Sequence, residues 1–285
     1  ADWQGTEEVP FAGGTVLRPR NAELMVAHLY GDDWRQPKPG FNWALSRTDA
    51  AGEGRFSDPE RTKIYWANFY ARNKYTAGST FFEFVNAHDA VTDTVVDIGC
   101  GDGRDSCAFG GAGRRVLGLD QSPVGIENAS AKAAELGVAE RVRFEVCDVA
   151  DVDALGAVLA AGVAAAEPAE AGAVDAGGRR APVTFYLRFF LHAINEQTQA
   201  KLLAAIREHA LPGDVFAAEF RTDKDADAAK VHGNHYRRFQ NAEEFSAALR
   251  SEFGFDEVLF EVESAGLSPY GDEDPVLYRV IARRS

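Results

Sequence analysis

The chain has 285 residues, 46% of them apolar, and a formal net charge of −14 at pH 7. It is long enough for one large α/β core and an appendage. The acidic charge argues against nucleic acid as the main partner, because a phosphate-binding surface normally needs an excess of basic residues. No apolar run approaches the length of a membrane span and no secretion signal opens the chain, so we expect a cytoplasmic protein. The cysteines lack metal-ligand spacing and are typical of buried thiols in a reducing compartment; they are Cys100, Cys107 and Cys147.

The first sixty residues differ from the rest in composition. A capped helix is predicted from Asn21 to Tyr30, and residues 34–43 are too rich in proline and aromatic side chains for a simple tail. A second helix begins at Asp58-Pro59, and Thr80 forms a capping box with Glu83 before a third. We therefore expect an accessory segment over residues 1–60 and a separate domain over residues 61–285.

The most informative motif is V-V-D-I-G-C-G-D-G, which runs from Val95 to Gly103. Its three alternate glycines allow a tight turn and bring a ligand against bare peptide, and the next helix directs its free N–H groups there. A dinucleotide fold needs its third glycine where this chain has Arg104. The motif predicts another nucleotide-like ligand, with a ligand-free strand–helix turn as the alternative.

Two further strands end on acids. The strand from Arg115 ends at Asp120, and a carboxylate at that place in a βαβ unit can accept hydrogen bonds from both ribose hydroxyls. Ser122-Pro123 then begins a helix. A third strand, Val142–Cys147, ends at Asp148, for which capping of the helix before Val152 is the alternative.

The second half of the chain continues the alternation. Val183–His192 is an apolar run typical of a doubly covered parallel strand, followed by the helix Asn195–Ala210 and a strand from Asp214 to Phe220. Asn241 caps another helix, and two strands, about 256–263 and 275–282, close the chain. The low-complexity residues 162–182 should lie at the N-terminal edge of the sheet, opposite the ligand; we expect no catalytic role, with partner binding as the alternative.

The motif D-I-G-C-G-D-G, the acids that close the next two strands and the final hairpin resemble the class I S-adenosylmethionine-dependent methyltransferases over roughly residues 60–285. The resemblance implies an α/β, doubly wound, Rossmann-like sheet of seven mostly parallel strands with an antiparallel last strand. It also implies S-adenosyl-L-methionine as cofactor, S-adenosyl-L-homocysteine as product, and a lid formed by the segment before the motif. The resemblance implies that Asp120 holds the ribose and that Asp148 faces adenine. The candidate cofactor-binding residues are Asp97, Gly99, Cys100, Gly101, Gly103, Arg104, Asp120, Gln121, Asp148, Val149, Arg188 and Tyr70.

The acceptor site is expected beyond the fourth and fifth of these strands. His192 lies where the family places acceptor-side residues and could serve as a general base; packing is the alternative. The loop after Phe220 is basic, and arginine forks suit a carboxylate or phosphate, so we expect a small anionic acceptor such as an acidic or phosphorylated sugar. Pairing with neighbouring acids is the alternative. The candidate catalytic residues are His192 and His235, and the candidate acceptor-binding residues are Arg221, His235, Tyr236, Arg237 and Arg238.

The expected reaction is methyl transfer, most simply to an oxygen of the acceptor. No metal is expected, because Arg188–His192 stands where metal-dependent relatives carry carboxylates. The strings YLRFFLHAI and GLSPYGDEDPVLYRVIARR resemble methyltransferases of bacterial polysaccharide and natural-product pathways. Two rival classes remain: another enzyme with the same cofactor site, such as an aminopropyltransferase, and a non-catalytic module of this fold.

Overall fold

The computed structural model describes residues 5–30, 35–36, 66, 77–165, 180–226, 228, 236–270 and 273–285. The chain divides into two compact units, Ala1–Tyr65 and Trp66–Ser285. The helix predicted from Asp58 lies outside the described residues except for Trp66, as does most of the low-complexity segment.

The first unit contains a β-hairpin that the sequence analysis missed. Strands β1 (Thr6–Phe11) and β2 (Gly14–Pro19) pair antiparallel and precede helix α1 (Ala22–Tyr30), which matches the predicted helix. Ala12 and Gly13 form the two-residue turn, with φ of 49° and 83°. Positive φ at both central residues suits the right-handed twist of a hairpin. An Ala-Gly turn lacks the usual Asn-Gly or Asp-Gly signal, and Pro10 within the strand further obscures the pattern.

The second unit is a seven-stranded sheet with helices on both faces. The strand order is β5-β4-β3-β6-β7-β9-β8, and β9 is antiparallel to both of its neighbours while the other pairs are parallel. This arrangement confirms the predicted fold. The elements are α2 (Thr80–Ala87), β3 (Thr94–Ile98), α3 (Arg104–Gly111), β4 (Arg115–Asp120), α4 (Pro123–Glu135), β5 (Val142–Val146), α5 (Val152–Ala165), β6 (Val183–Arg188), α6 (Glu196–His209), β7 (Val215–Arg221), α7 (Ala242–Ser251), β8 (Glu257–Ser264) and β9 (Leu277–Arg283).

Each face of the sheet has its own hydrophobic cluster. On one face, Phe185 and Phe216 pack with apolar side chains of α5, α6 and α7. On the other, Tyr186 packs with Phe81 of α2 and Phe109 of α3. Coverage on both faces explains why the central strands are almost continuously apolar. It leaves the carboxyl ends of the strands as the place where polar side chains gather.

Helix starts largely follow the sequence signals. The side chains of Ser122, Asn195 and Asn241 cap α4, α6 and α7 as predicted. The cap of α2 is one residue earlier than predicted, because the Oγ of Ser79, not Thr80, accepts a hydrogen bond from Phe82 N at 3.0 Å. Thr80 is thereby free to take part in a polar network described below.

The low-complexity segment is flanked by residues at the amino-terminal edge of the sheet. Helix α5 ends there, and Arg180 donates to Asp214 through both terminal nitrogens, at 2.8 and 2.6 Å, just before β6 and β7 begin. Asp214 also accepts from Val183 N and Leu211 N. The flanks therefore lie opposite the glycine-rich loop, which follows the carboxyl end of β3. Among the described helices, none is both long and apolar enough to span a bilayer.

Candidate functional site

The glycine-rich loop lies between β3 and α3, next to the point where the strand order reverses. Gly99, Gly101 and Gly103 have φ values of 77°, 59° and 72°, a region that disfavours other residues. The N–H groups of Gly99 and Cys100 both donate to Leu119 O, at 2.7 and 3.0 Å. This ties the loop to the end of β4. Bare peptide is thus presented at the crevice where open α/β sheets bind ligands.

Gly103 is also required by packing. A Cβ at this position would lie 2.7 Å from the Cβ of Ala129 and 2.8 Å from Cζ of Phe144. The start of α3 therefore approaches α4 and β5 more closely than a side chain would allow. Asp102 beside it forms an ion pair of 2.6 Å with Lys132 of α4, which further fixes the loop.

Two buried carboxylates flank the loop. Asp97 on β3 accepts a hydrogen bond from Ser106 Oγ at 2.5 Å, and burial raises its pKa to about 7. Asp120 ends β4 and accepts from Gly101 N at 3.0 Å and Ser122 N at 2.8 Å; burial raises its pKa to about 6. Asp120 thus lies against the loop, as its predicted ribose role requires, and the partly buried Gln121 follows it.

The turn after β5 contains Asp148, for which capping of the next helix was the alternative role. Asp148 accepts from Ala150 N at 3.0 Å within its own turn, whereas Asp151 Oδ1 accepts from Ala154 N and caps α5. Capping is therefore not the role of Asp148. Cys147 N donates to Asp120 O, so this turn adjoins the end of β4, and Val149 is buried beside it. The three cysteines are buried free thiols, and burial raises the pKa of each.

Arg104, a candidate cofactor-binding residue, contacts backbone carbonyls of a segment distant in the sequence. Its guanidinium donates to the carbonyls of Ala77 and Gly78, at 2.7 and 3.1 Å. The side chain therefore holds the segment before α2 against the start of α3. The glycine pattern alone could not show this, because the carbonyls come from a distant part of the sequence.

A row of charged side chains crosses four strands near the glycine-rich loop, and two of its four members, Glu219 and Arg279, were missed from the sequence. Asp97 on β3, Arg188 on β6, Glu219 on β7 and Arg279 on β9 lie on one face, since Arg188 is paired in register with Glu219 and Glu219 with Arg279. Arg279 Nε donates to Glu219 at 2.6 Å. Charged residues inside apolar strands were the available signal, because buried charges are almost always paired.

Asp105, in the first turn of α3, joins this row to α2. It accepts hydrogen bonds from Ser79 N at 2.8 Å and from the hydroxyls of Ser79 and Tyr186, both at 2.7 Å. Thr80 Oγ1 in turn accepts from Arg279 at 3.0 Å. Burial lowers the pKa of Arg188, but Asp105 and Glu219 more than offset that effect, so the pKa is raised.

Arg221, a candidate for acceptor binding, pairs in the structure with acids of the protein, which was the alternative interpretation. Its side chain is buried and forms ion pairs with Asp225, at 2.7 Å, and with Glu273. Both terminal nitrogens are therefore engaged by carboxylates of the protein. Asp225 is one of the acids that neighbour the basic loop in sequence, whereas Glu273 comes from the distant segment before β9.

His192 is buried and its Nδ1 accepts a hydrogen bond from Arg221 N at 3.3 Å. In a neutral ring this arrangement places the proton on Nε2, so neither nitrogen is ready to act as a base. Its ring packs edge-on against Phe189, 5.5 Å away. The structure favours the packing interpretation.

The basic segment after β7 is described from Tyr236 onward; His235 and Tyr70 lie outside the described residues. Arg238 N donates to His192 O at 2.8 Å, and its guanidinium donates to Gln199. Burial lowers the pKa of Arg238. Arg237 is partly buried and Tyr236 is 45% exposed. In the described part of the chain, no group of three or more acidic, histidine or cysteine side chains is placed to hold a metal ion.

Comparisons with known proteins agree with this geometry. Residues 90–162, which contain the glycine-rich loop and both flanking acids, match a family model described as a methyltransferase domain. A search of curated proteins finds no significant match.

Solved structures share the fold. A SAM-dependent methyltransferase from Anabaena variabilis aligns with a TM-score of 0.58 at 13% identity, over 81% of this chain and 96% of that one. Geranyl diphosphate C-methyltransferase from Streptomyces coelicolor A3(2) aligns with a TM-score of 0.52 at 15% identity, over 81% and 100%. A structure titled "Conversion of a Disulfide Bond into a Thioacetal Group during Echinomycin Biosynthesis" aligns with a TM-score of 0.54 at 18% identity, over 80% and 93%. Residues 90–162 match a methyltransferase-domain model, and the glycine-rich loop, its two acids and the seven-stranded sheet give the chain the fold of the class I S-adenosylmethionine-dependent methyltransferases, which use S-adenosylmethionine and release S-adenosylhomocysteine.

Proposed function

We propose that the enzyme methylates an oxygen atom of a small anionic acceptor. The observation that carries this proposal is the position of His192, whose Nδ1 already accepts a backbone hydrogen bond. An ionised carboxylate or phosphate oxygen is nucleophilic without a general base, whereas an alcohol benefits from one. An acceptor that arrives as an anion therefore suits this site better than a neutral alcohol.

The residues of the loop fit the cofactor. Positive φ at three glycines leaves bare peptide, and Asp120 is held against that peptide by two backbone N–H groups. We assign Asp120 to the ribose hydroxyls, Asp148 to adenine and Asp97 to the amino-acid end. When bound, S-adenosylmethionine supplies an electrophilic methyl group that carries its own leaving group. The protein then mainly has to align the acceptor oxygen with that carbon and exclude water.

The acceptor is proposed to bind beside the segment 236–240. Two contacts support this: Arg238 N donates to His192 O, and Gln240 forms a bridge with Thr222 at the end of β7. Both hold the segment at the carboxyl edge of the sheet, where loops build sites in this architecture. Arg237 is then the side chain proposed to bind the acceptor's negative charge, with Tyr236 beside it.

A screen with methyl-labelled cofactor tests the proposal. It should compare matched pairs of small compounds, each a carboxylic acid or phosphate with its amide or neutral ester. We expect label to enter the anionic member of a pair and to be released by mild base when the product is a methyl ester. Transfer to amines or carbon atoms, or equal transfer to both members of the pairs, would contradict it.

Arg237→Ala provides a residue-level test. We expect the KM of the anionic acceptor to rise about tenfold, because one charge-assisted contact is lost, while the Kd of S-adenosylhomocysteine stays unchanged. Arg250→Ala is the matched control, since Arg250 is exposed in the last turn of α7 at the opposite edge of the sheet. Equal losses of acceptor and cofactor binding in Arg237→Ala would refute the assignment.

We also propose the type of partner, the cellular location and the biosynthetic role of the enzyme. The net charge of −14 supports a small molecule rather than nucleic acid as partner. Three buried free thiols support the cytoplasm as location. The resemblance of YLRFFLHAI and of the C-terminal string to bacterial enzymes, and a fold shared with a structure titled for echinomycin biosynthesis, support a role in polysaccharide or natural-product biosynthesis.

A further inference from the structure

The row of charged side chains that crosses four strands contains one arginine, Arg188, whose guanidinium N–H donors remain available. We propose that Arg188 binds the α-carboxylate of the cofactor, and that Asp105 and Glu219 are positioning residues that keep its guanidinium charged and oriented. This inference rests on the cofactor site described above and adds a specific contact to it.

Arg188 lies between two carboxylates without being hydrogen-bonded to either. Its Nε is 3.4 Å from Oε1 of Glu219 and 3.8 Å from Oδ2 of Asp105. That nitrogen is buried without a partner, and no hydrogen bond joins the guanidinium to any residue that the structure describes. The side chain retains 21% of its exposure, and its guanidinium lies over the ring of Phe189 at 4.5 Å. An arginine this buried usually has its donors satisfied, so the arrangement indicates a missing acceptor.

The two carboxylates have other hydrogen-bond donors. Asp105 accepts from Ser79 and Tyr186, while Glu219 accepts from Arg279 Nε at 2.6 Å and from Ser268 Oγ at about 3 Å. They contribute negative charge beside Arg188 without occupying its terminal nitrogens. The two ends of a guanidinium fork match a carboxylate bidentately, so the acceptor it lacks is an anion of that shape.

The position favours the cofactor over the acceptor as the source of that carboxylate. Strand β6 is the direct neighbour of β3, with Tyr186 opposite Asp97, and Arg188 lies two residues further toward the carboxyl edge. The next residues stay at the glycine-rich loop: a Cβ on Gly99 would lie 2.2 Å from the ring of Phe190. The amino-acid end of the cofactor is zwitterionic, and one acid on β3 beside one guanidinium on β6 matches its two charges.

Binding measurements with two ligands test the assignment. Titration calorimetry on the full chain should compare S-adenosylmethionine with its decarboxylated analogue, which lacks only the α-carboxylate. We expect the wild type to prefer S-adenosylmethionine by about tenfold to a hundredfold, the range for a charge-assisted pair. In Arg188→Met the preference should disappear because only the affinity for S-adenosylmethionine falls. Arg188→Lys keeps the positive charge but loses the two-pronged guanidinium, so it should retain part of the preference for S-adenosylmethionine.

Arg279→Met is the matched control, because Arg279 pairs with the same Glu219 one strand further away. It should lower the melting temperature yet preserve the ligand preference. If Arg188→Met is poorly folded, Arg188→Lys decides. An unchanged preference in the Arg188 variants would overturn the inference and is the outcome expected if Arg188 served the acceptor. An equal loss of affinity for both ligands would also overturn it. Failure of the proposed function gives a different result: cofactor binds as expected, but label enters no anionic compound.

Discussion

At the scale of single residues, the two acids beside the glycine-rich loop are buried at a cost to the stability of the fold. Asp97 and Asp120 are both buried, and burial raises their pKa values to about 7 and about 6. A group that is harder to ionise in the folded protein than in the unfolded chain reduces stability once the pH favours ionisation. Functional sites commonly carry such perturbed groups.

Asp97→Asn should therefore stabilise the cofactor-free protein at high pH. Between the ordinary pKa of 3.8 and the folded value of about 7, the native state holds a proton that the unfolded chain has released. The contribution of Asp97 to stability thus falls as pH rises through this window, by at most about 4 kcal/mol. Asparagine can still accept from Ser106 and avoids the loss. Urea unfolding at pH 5 and pH 8 should show that the free energy of unfolding of the variant rises relative to that of the wild type at pH 8. A separate titration should show that the variant binds S-adenosylhomocysteine more weakly.

Asp105→Asn is the contrasting variant, because Asp105 accepts three hydrogen bonds and lies beside Arg188. It should be less stable than the wild type at both pH values. A destabilised Asp97→Asn at pH 8 would show that the charge of Asp97 is compensated in the free protein.

A comparison of Gly103 with Gly113 distinguishes the cost of a strained backbone conformation from the cost of close packing. Gly103 and Gly113 have φ of 72° and 91°, but only Gly103 has neighbours that a Cβ would strike, whereas the space around Gly113 is open within 4 Å. Gly113→Ala should cost about 1–2 kcal/mol from left-handed strain alone. Gly103→Ala should cost about 1–3 kcal/mol more, because α3 must move away from Ala129 and Phe144. Chemical denaturation measures both, and equal costs would contradict the packing argument.

At the scale of elements, the two edges of the sheet serve different purposes. Polar groups at the carboxyl edge are arranged around the glycine-rich loop, whereas those at the amino edge close the fold. Asp214 belongs to the second kind: it is fully buried and is satisfied by Arg180 and two backbone N–H groups.

Arg180→Met should destabilise the protein by about 3–5 kcal/mol, since it leaves the Asp214 carboxylate buried without its counter-charge. Replacing residues 166–179 with a short Gly/Ser linker should, in contrast, change neither the melting temperature appreciably nor the Kd of S-adenosylhomocysteine, because the flanks lie at the edge away from the loop. A loss of cofactor binding after the replacement would assign a functional role to the segment.

At the scale of the whole molecule, the sheet and both hydrophobic clusters lie within the second unit. We propose that residues 1–60 are an accessory segment rather than part of the fold of the catalytic domain. The described part of that segment carries exposed apolar side chains, among them Phe11, Leu17 and Leu24.

A chain starting at residue 61 should therefore fold on its own. In the full chain, S-adenosylhomocysteine at 100 times its Kd should stabilise the protein by about 2.7 kcal/mol, or roughly 5–10 °C in Tm. Circular dichroism and thermal melts check both statements. An unfolded truncated chain would disprove the boundary.

Local sequence patterns were sufficient to predict most helices and strands and the glycine-rich loop. Glycine spacing, caps such as Ser122 and apolar runs such as Val183–His192 depend on residues close in sequence, so they predicted the elements of the second unit to within a few residues. In that run, β6 ends four residues earlier than predicted, at Arg188. The same local reasoning located α2 one residue late and missed the hairpin at Ala12-Gly13. It could not follow Arg104 to Ala77 and Gly78, because that contact joins separate segments.

The sequence by itself determined the fold class and the cofactor, since both depend on the chemistry of short contiguous segments: a glycine loop, an acid after each strand, and alternating strands and helices. Only the tertiary structure decided what the charged residues do. It placed Arg221 between Asp225 and Glu273, turned His192 toward a backbone N–H, and left Arg188 with unused donors beside the loop. The role of a charged side chain depends on its partners, and partners such as Glu273 for Arg221 and Asp105 for Arg188 come from segments far apart in the chain.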